Sequence, residues 1–229
     1  MFGRRSRLAA LGAVGLGACA VLAACSPVKV GAAAVVGDQR ITVASLDTQV
    51  ANYHTAAAPY GSQIQLTSSE VPAAVLSWLI RFQIGDQVAD QAGITLTQAQ
   101  IQAGTASINA QAKQAAAQNG LSSAQSVFLN AGLSPQMLPA LGMYQAQEIA
   151  FAQQANGGKL PTTTAENNTV NAALTKAQCT AAKSLNIQVS PQFGRMDYTQ
   201  YTVVPAPDTL SRPAGVPSPA STTGLAPAC

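Results

Sequence analysis

The chain has 229 residues, of which 48% are hydrophobic, 9% charged and 5% aromatic, with a formal net charge of +3. Arg4, Arg5 and Arg7 account for that excess, so beyond residue 24 basic and acidic residues balance. A neutral chain has no Lys/Arg patch with which to displace counterions, which excludes a nucleic-acid partner and gives no ground for attraction to anionic lipid. With so few aromatics the core must be built from Ala, Val, Leu and Ile, which favours closely packed helices, and the length suits one domain plus a tail.

Arg4, Arg5 and Arg7 precede an uncharged run from Leu8 to Ala24 that ends in Leu22-Ala23-Ala24-Cys25. A basic region, an apolar region and small residues before a cleavage point read as a secretory signal. The cysteine after them resembles the lipobox of bacterial lipoproteins. That resemblance implies cleavage before Cys25, a diacylglycerol thioether on its thiol, and retention on the outer face of a membrane. Leu16-Gly17-Ala18-Cys19 has the same form, but cleavage there leaves Ala20 to Ala24 exposed on the mature chain, whereas Cys25 is followed by the more polar Ser26-Pro27. A spanning helix needs about 20 apolar residues, and the glycine-interrupted run from Leu8 falls short. The expected organisation is a signal over 1–24, a folded domain over 25–204 and a tail over 205–229.

Within the domain, Lys29 to Val36, the Gly37-Asp38 turn and Gln39-Arg40-Ile41 read as two short strands. Thr42 can cap a helix carrying Val43, Leu46, Val50 and Tyr53, which ends around Ala56 to Gly61. Ser68-Ser69-Glu70-Val71-Pro72 reads as the next start, with capping hydroxyls and a first-turn proline. Its stripe is Val75, Leu76, Leu79, Ile80, Ile84 and Val88, closed by Gly93. Thr97 and Gln100 have capping-box spacing before a third helix to about Gln118, whose thin apolar face implies packing on one side only. A short helix spans Ser123 to Asn130. Ser134-Pro135 reads as another cap, before Met137, Leu138, Leu141, Tyr144 and Glu148 on one face up to about Ala155. The last helix runs from about Thr164 to Leu185, ended by Asn186. Ile187-Gln188-Val189 alternates as a strand that Pro191 confines to an edge. Gln192 to Tyr198 reads as turn-rich, and Tyr201 to Val204 as extended. The segment from Pro205 to Cys229 is rich in Pro, Ser, Thr and Ala and is read as a disordered or extended tail.

Four stretches in this order resemble the SurA and PrsA chaperones. Ala34-Val35-Val36-Gly37-Asp38-Gln39-Arg40-Ile41-Thr42 followed by Leu46 resembles their V-N-G-x-x-I-T-x-x-x-L opening. Leu79-Ile80 to Ala89, then Ala92-Gly93-Ile94-Thr95-Leu96-Thr97 with Ile101, resembles the helix-to-helix segment that follows. Phe128-Leu129-Asn130-Ala131-Gly132-Leu133-Ser134 is similar to the F-x-x-x-L…G-L-T element. Ile187-Gln188-Val189-Ser190-Pro191-Gln192-Phe193-Gly194 is similar to the returning I-x-V-N-P-R-F-G segment of lipid-anchored members. The match covers about Val28 to Asp197, with Gln100 where the family often has Glu and Gln192 where it often has Arg. It implies a mainly α, SurA N-terminal-like domain with a small β-element joining its two ends. It also implies binding of unfolded exported polypeptides. Family members often insert parvulin prolyl-isomerase modules after the helix that here ends near Ala155. The short link to the next helix leaves no room for one, and His54 is the sole histidine, so isomerase activity does not carry over.

The remaining chemistry is sparse. One histidine, scattered carboxylates and distant cysteines have no metal-ligand spacing, and no cofactor or small-molecule substrate is indicated. His54 near a helix end has a helix-dipole contact as its bland explanation. Asp86 and Asp90 at i,i+4 read as a solvated face. Asn167-Asn168-Thr169 matches a glycosylation sequon that carries no information in a bacterial lipoprotein. Trp78 beside Leu79-Ile80 reads as core, with a peptide-binding aromatic as the alternative; no other residue is assigned to peptide binding. Cys19 leaves with the signal and Cys25 carries lipid, so Cys179 and Cys229 remain, in an oxidising location. They are a disulfide pair, worth roughly 4 kcal/mol in the chain-entropy model for a loop of about 50 residues, or two free thiols. The functional expectation is a lipid-anchored holdase on the extracytoplasmic face of the cell membrane; the alternative is a scaffold lipoprotein docking one envelope partner. Neither is an enzyme.

Overall fold

The computed structural model describes residues 30–205. The valine-rich run forms β1 (Ala32–Val36), turns at Gly37 and returns as β2 (Gln39–Thr42). The turn needs a left-handed residue, and Gly37 supplies it at φ 59°. β1 pairs antiparallel with β2 from Val36↔Gln39 to Ala32↔Thr42, with an irregularity between Ala32 and Ala34. Its other edge takes β3 (Gln188–Val189), antiparallel through Ala34↔Val189. The order β2-β1-β3 brings the start of the described chain beside the segment that follows the last helix and leaves β3 at an edge.

Thr42 caps α1 (Val43–Ala57), its hydroxyl accepting the Ser45 amide at 3.0 Å. The central helix is α2 (Val71–Gln91), which packs on α1, β1 and two later helices. Val71, Val75, Leu76, Ile80, Ile84 and Val88 are buried along it, while Leu79 is half-buried. Ser68 and Ser69 do not cap it. Glu70 holds the N-cap position without a side-chain cap bond, and its carboxylate reaches back to accept the Thr67 amide at 2.9 Å and hydroxyl at 2.6 Å. The longer acidic side chain thus closes the loop that the serines were expected to close.

α3 (Gln98–Gln118) opens with the Thr97/Gln100 capping box and buries only Gly104, Ile108, Ala112 and Ala116, the single packing face its composition implies. α4 (Ala124–Asn130) is capped by Ser123. Ser134 does not cap its helix: its hydroxyl donates to Gln49 Oε1 at 3.1 Å, and Pro135–Met137 form a 3-10 turn ahead of α5 (Leu138–Ala155). α3 lies along α5 so closely that a Cβ on Gly104 would collide with the Gly142 carbonyl, and one on Gly142 with the Thr105 hydroxyl. α6 (Thr164–Ser184) starts with a second capping box, Thr163/Glu166, and stops at Asn186, whose φ is 43°.

The segment expected to be turn-rich contains a strand. β4 (Arg195–Asp197) pairs antiparallel with β5 (Thr202–Val204), Met196 facing Val203. Their connection is built by the Asp197 carboxylate, which accepts the Thr199 amide at 2.8 Å, and by Tyr201 at φ 51°. Neither is an Asn-Gly type signal, so the hairpin leaves little trace in the sequence. The described chain is therefore mainly helical with two small antiparallel sheets. No helix among the described residues is long and apolar enough to cross a membrane. The signal, Cys25, Cys229 and the tail from Ala206 lie outside the described residues.

Candidate functional site

Beside its buried stripe, α2 carries Ser77, Trp78 and Arg81, which face the β4–β5 hairpin. Ser77 Oγ donates to the Ala73 carbonyl at 2.6 Å and accepts the Val203 amide at 2.8 Å. Arg81 donates through Nε to the Tyr201 carbonyl at 3.1 Å and through Nη2 to the Gln200 carbonyl at 2.8 Å. Its guanidinium lies 5.0 Å from the centre of the Trp78 ring, within cation–π range. Trp78 Nε1 donates to the Ala131 carbonyl at 2.7 Å, and the ring rests 5.8 Å from that of Phe82. Trp78 is thus half-buried at the margin of the core, with both its polar tip and its face engaged.

This clamp divides two concavities, and Trp78 and Arg81 line both. On one side a groove of about 640 Å³ runs between the first half of α2 and the hairpin, with Leu66, Ala73, Phe193, Val204 and Pro205 on its walls. On the other a cleft of about 360 Å³ opens between α2, Tyr144 and Glu148 of α5, Gln178 of α6, and Gln200 and Tyr201 at the hairpin tip. Gly85 admits the Tyr144 ring to α2: a Cβ there would lie 2.6 Å from Tyr144 Cδ2.

The cleft holds a coupled polar group. Burial pushes the Tyr144 hydroxyl well above the usual phenol range, helped by the neighbouring Glu148 charge and by its hydrogen bond to that carboxylate; Arg81 and Gln178 oppose the shift. Gln178 Nε2 donates to the Tyr144 hydroxyl at 3.2 Å. Burial also raises the Glu148 carboxyl, against the pull of Tyr144 and Arg81. Arg81 is lowered by burial and supported by Tyr144 and Glu148. The arrangement orients groups and offers both signs of charge on aromatic walls. It lacks an activated nucleophile beside a base.

A third concavity, about 870 Å³, lies between the β1–β2 turn, the second half of α2 and the start of α3. It contains Asp86 and Asp90, the i,i+4 pair of the sequence; Asp86 accepts Gln147 Nε2 at 2.7 Å, and Asp90 is exposed. His54 is exposed in the last turn of α1, edge-on to Tyr53 at 5.6 Å. Among the described residues no group of three His, Cys, Asp or Glu side chains is placed to hold a metal ion. Cys179 is buried on α6 and disulfide-bonded. Cys25 and Cys229 lie outside the described residues, and so does the pairing of Cys179 with Cys229.

The sequence pattern does not single out Arg81, Tyr144 and Glu148 as a unit. Tyr144 and Glu148 share a face at i,i+4, which is legible; Arg81 joins them only through the packing of α2 on α5. Comparison of the chain with protein-family models, curated proteins and solved structures gives no match.

Proposed function

We propose that this chain is a lipid-anchored, extracytoplasmic polypeptide-binding protein of the SurA/PrsA-like holdase type, without prolyl-isomerase activity. The observation that carries the reading is the groove beside Trp78. It has largely apolar walls with Trp78 and Phe193, and is flanked by the clamp that fixes its far wall. Such a groove suits an extended segment, held by ring contacts and backbone hydrogen bonds, with no covalent step. The scarcity of charge fits capture with little sequence preference. The diacylglycerol on Cys25 holds the domain at the membrane where exported chains emerge.

A second reading, a scaffold docking one dedicated envelope partner, has an observation in its favour. Among the described residues only Val30 and Leu160 are large, apolar and exposed, a small area for a general holdase. Light scattering separates the two. The acylated chain in detergent is expected to slow aggregation of several unrelated unfolded proteins at near-equimolar ratio, and to leave cis–trans isomerisation of Xaa-Pro test peptides unchanged. Failure with every client, alongside stoichiometric binding of a single purified envelope protein, replaces the holdase with the scaffold.

A further inference from the structure

The hydrogen bonds from α2 to the β4–β5 hairpin end on main-chain atoms. Ser77 Oγ accepts the Val203 amide at 2.8 Å, and Arg81 donates to the Tyr201 and Gln200 carbonyls at 3.1 and 2.8 Å. The spacing is that of a strand partner. Ser77 and Arg81 lie four residues apart on a helix, a rise of about 6.0 Å. From Tyr201 to Val203 is two residues, about 6.6 Å of extended chain. α2 thus offers an acceptor and a donor at the interval at which any extended polypeptide presents an amide and a carbonyl on one edge. β5 fills that ladder from within the chain, and the bonds do not depend on its side chains.

The hairpin's hold is local. Met196 and Val203 add apolar contact with the core, but each of its strands has three residues, and its turn rests on Asp197 and on Tyr201 at φ 51°. Trp78 and Arg81 line both the groove and the cleft, so the clamp is the partition between them. Trp78 is anchored independently of the hairpin, through Nε1 to the Ala131 carbonyl at 2.7 Å.

We propose that the β4–β5 hairpin is an internal stand-in for client backbone, and that an extended client segment takes Ser77 and Arg81 from it, opening the groove into the cleft. This rests on the polypeptide-binding reading above and names how the capture is made. The exchange is like for like. A client carbonyl replaces that of Tyr201 on the guanidinium and a client amide replaces that of Val203 on Ser77 Oγ, so neither side chain is left buried and unpaired. Proline at the amide position has no hydrogen to donate and is rejected. Swinging the hairpin away uncovers Val203, so the client must set an apolar side chain in its place. The segment selected is extended, with an aliphatic residue two positions after the carbonyl that Arg81 holds. Polar segments give no such compensation and leave the hairpin closed. The capture surface therefore stays covered until a client arrives, which accounts for Val30 and Leu160 being the only large apolar residues exposed among the described ones.

The test titrates the full acylated chain in detergent with fluorescently labelled, reduced and carboxymethylated α-lactalbumin, which stays unfolded. Anisotropy reads binding, and amide exchange reads the hairpin. In the complex the Val203 amide is expected to lose its protection while amides of α3 and α5 keep theirs. Asp197→Ala removes the bond that builds the turn and touches no residue of the ladder. A loosened competitor should tighten client binding, by about two- to tenfold for one hydrogen bond. Exchange in the parent chain needs no variant and decides the matter where Asp197→Ala unfolds more than the hairpin. Val203 protection that is unchanged or increased in the complex, or weaker binding by a folded Asp197→Ala, makes the hairpin a fixed wall of the site and overturns the exchange while the holdase reading stands. Absence of binding by both chains defeats polypeptide capture itself, and the exchange with it.

Discussion

Where α3 lies along α5, Gly104 and Gly142 let the backbones approach with no space for a β-carbon, and the other residues α3 buries, Ile108, Ala112 and Ala116, are apolar. Where the β4–β5 hairpin meets α2, Met196 and Val203 join the core, and the contact also runs through Ser77 to an amide and through Arg81 to two backbone carbonyls. The difference sets which seam can open. Separating α3 from α5 forfeits packing that water cannot replace. Separating the hairpin from α2 uncovers Met196 and Val203 but exchanges its hydrogen bonds for water, each worth about 0.5–1.5 kcal/mol net. A chain poor in aromatics gains its rigidity from small residues at the first seam. At the second it places its only tryptophan in a joint of lower local stability, the kind of element from which binding sites are drawn.

The largest test of that contrast is Gly142→Leu. Helix propensity favours the change by about 1 kcal/mol, but the clash with Thr105 wins, and a net loss of about 3 kcal/mol is expected. The denaturant midpoint should fall with an unchanged slope; a midpoint within error of the parent removes the claim that backbone approach holds α3 to α5. Next comes Ser77→Ala, which leaves the buried Val203 amide without its partner and should cost about 1–3 kcal/mol. Hydrogen exchange sharpens the comparison here: amides of the hairpin should lose protection while those of α3 and α5 keep it. Equal loss at both seams means that they do not open independently.

A smaller effect is expected from Glu148→Gln. Burial raises the folded-state pKa of this carboxyl, so the native protein binds its proton more tightly than the unfolded chain does. The charge therefore costs stability at neutral pH, and the cost fades as pH falls through the raised value toward the ordinary carboxylate range. Glutamine should raise the melting temperature at pH 7 and lose that advantage at acid pH. A variant less stable than the parent at pH 7 means that the attraction of Arg81 outweighs burial, and the cleft is then an ion-pair site rather than a strained one.

Both seams are legible in the sequence to different depths. The caps at Thr42 and Thr97, the stripe from Val75 to Val88 and the stop at Asn186 follow from local rules, and the helices appear where those rules put them. The misassigned caps, Ser69 and Ser134, share a cause. A short hydroxyl competes with longer side chains, and Glu70 closes the Thr67 loop while Gln49 engages Ser134. The β4–β5 hairpin hides because its turn is made by Asp197 and by a left-handed Tyr201 rather than by glycine. The clamp hides because Arg81 and Gln200 are remote in sequence, and no periodicity of α2 distinguishes a guanidinium that seeks carbonyls from one that seeks water. What the sequence did offer, unused, was Thr163 three residues before Glu166, the same spacing read correctly at Thr97 and Gln100.

Those two capping boxes provide the smallest and most controlled comparison. Gln100 accepts the Thr97 amide with a neutral amide oxygen at 2.8 Å, whereas Glu166 accepts the amides of Thr162 and Thr163 with a carboxylate at 2.7 and 2.9 Å. Those backbone bonds hold the Glu166 carboxyl down at about 2. A carboxyl depressed in the folded state contributes stability that is fully present above its unfolded value and is lost as pH falls through the folded one. α6 should therefore loosen at its start between the ordinary carboxylate range and about pH 2, while α3 does not. Glu166→Gln makes the second box chemically equal to the first. At neutral pH the variant should be slightly less stable, because the charged oxygen also faces the positive end of the helix. The difference should shrink below the ordinary carboxylate range and vanish only near pH 2, and in the variant amide exchange over Thr162 to Val170 should be independent of pH apart from its intrinsic chemistry. If exchange there stays pH-dependent in the variant, the acid sensitivity of α6 comes from another group and the depressed carboxyl is not its source.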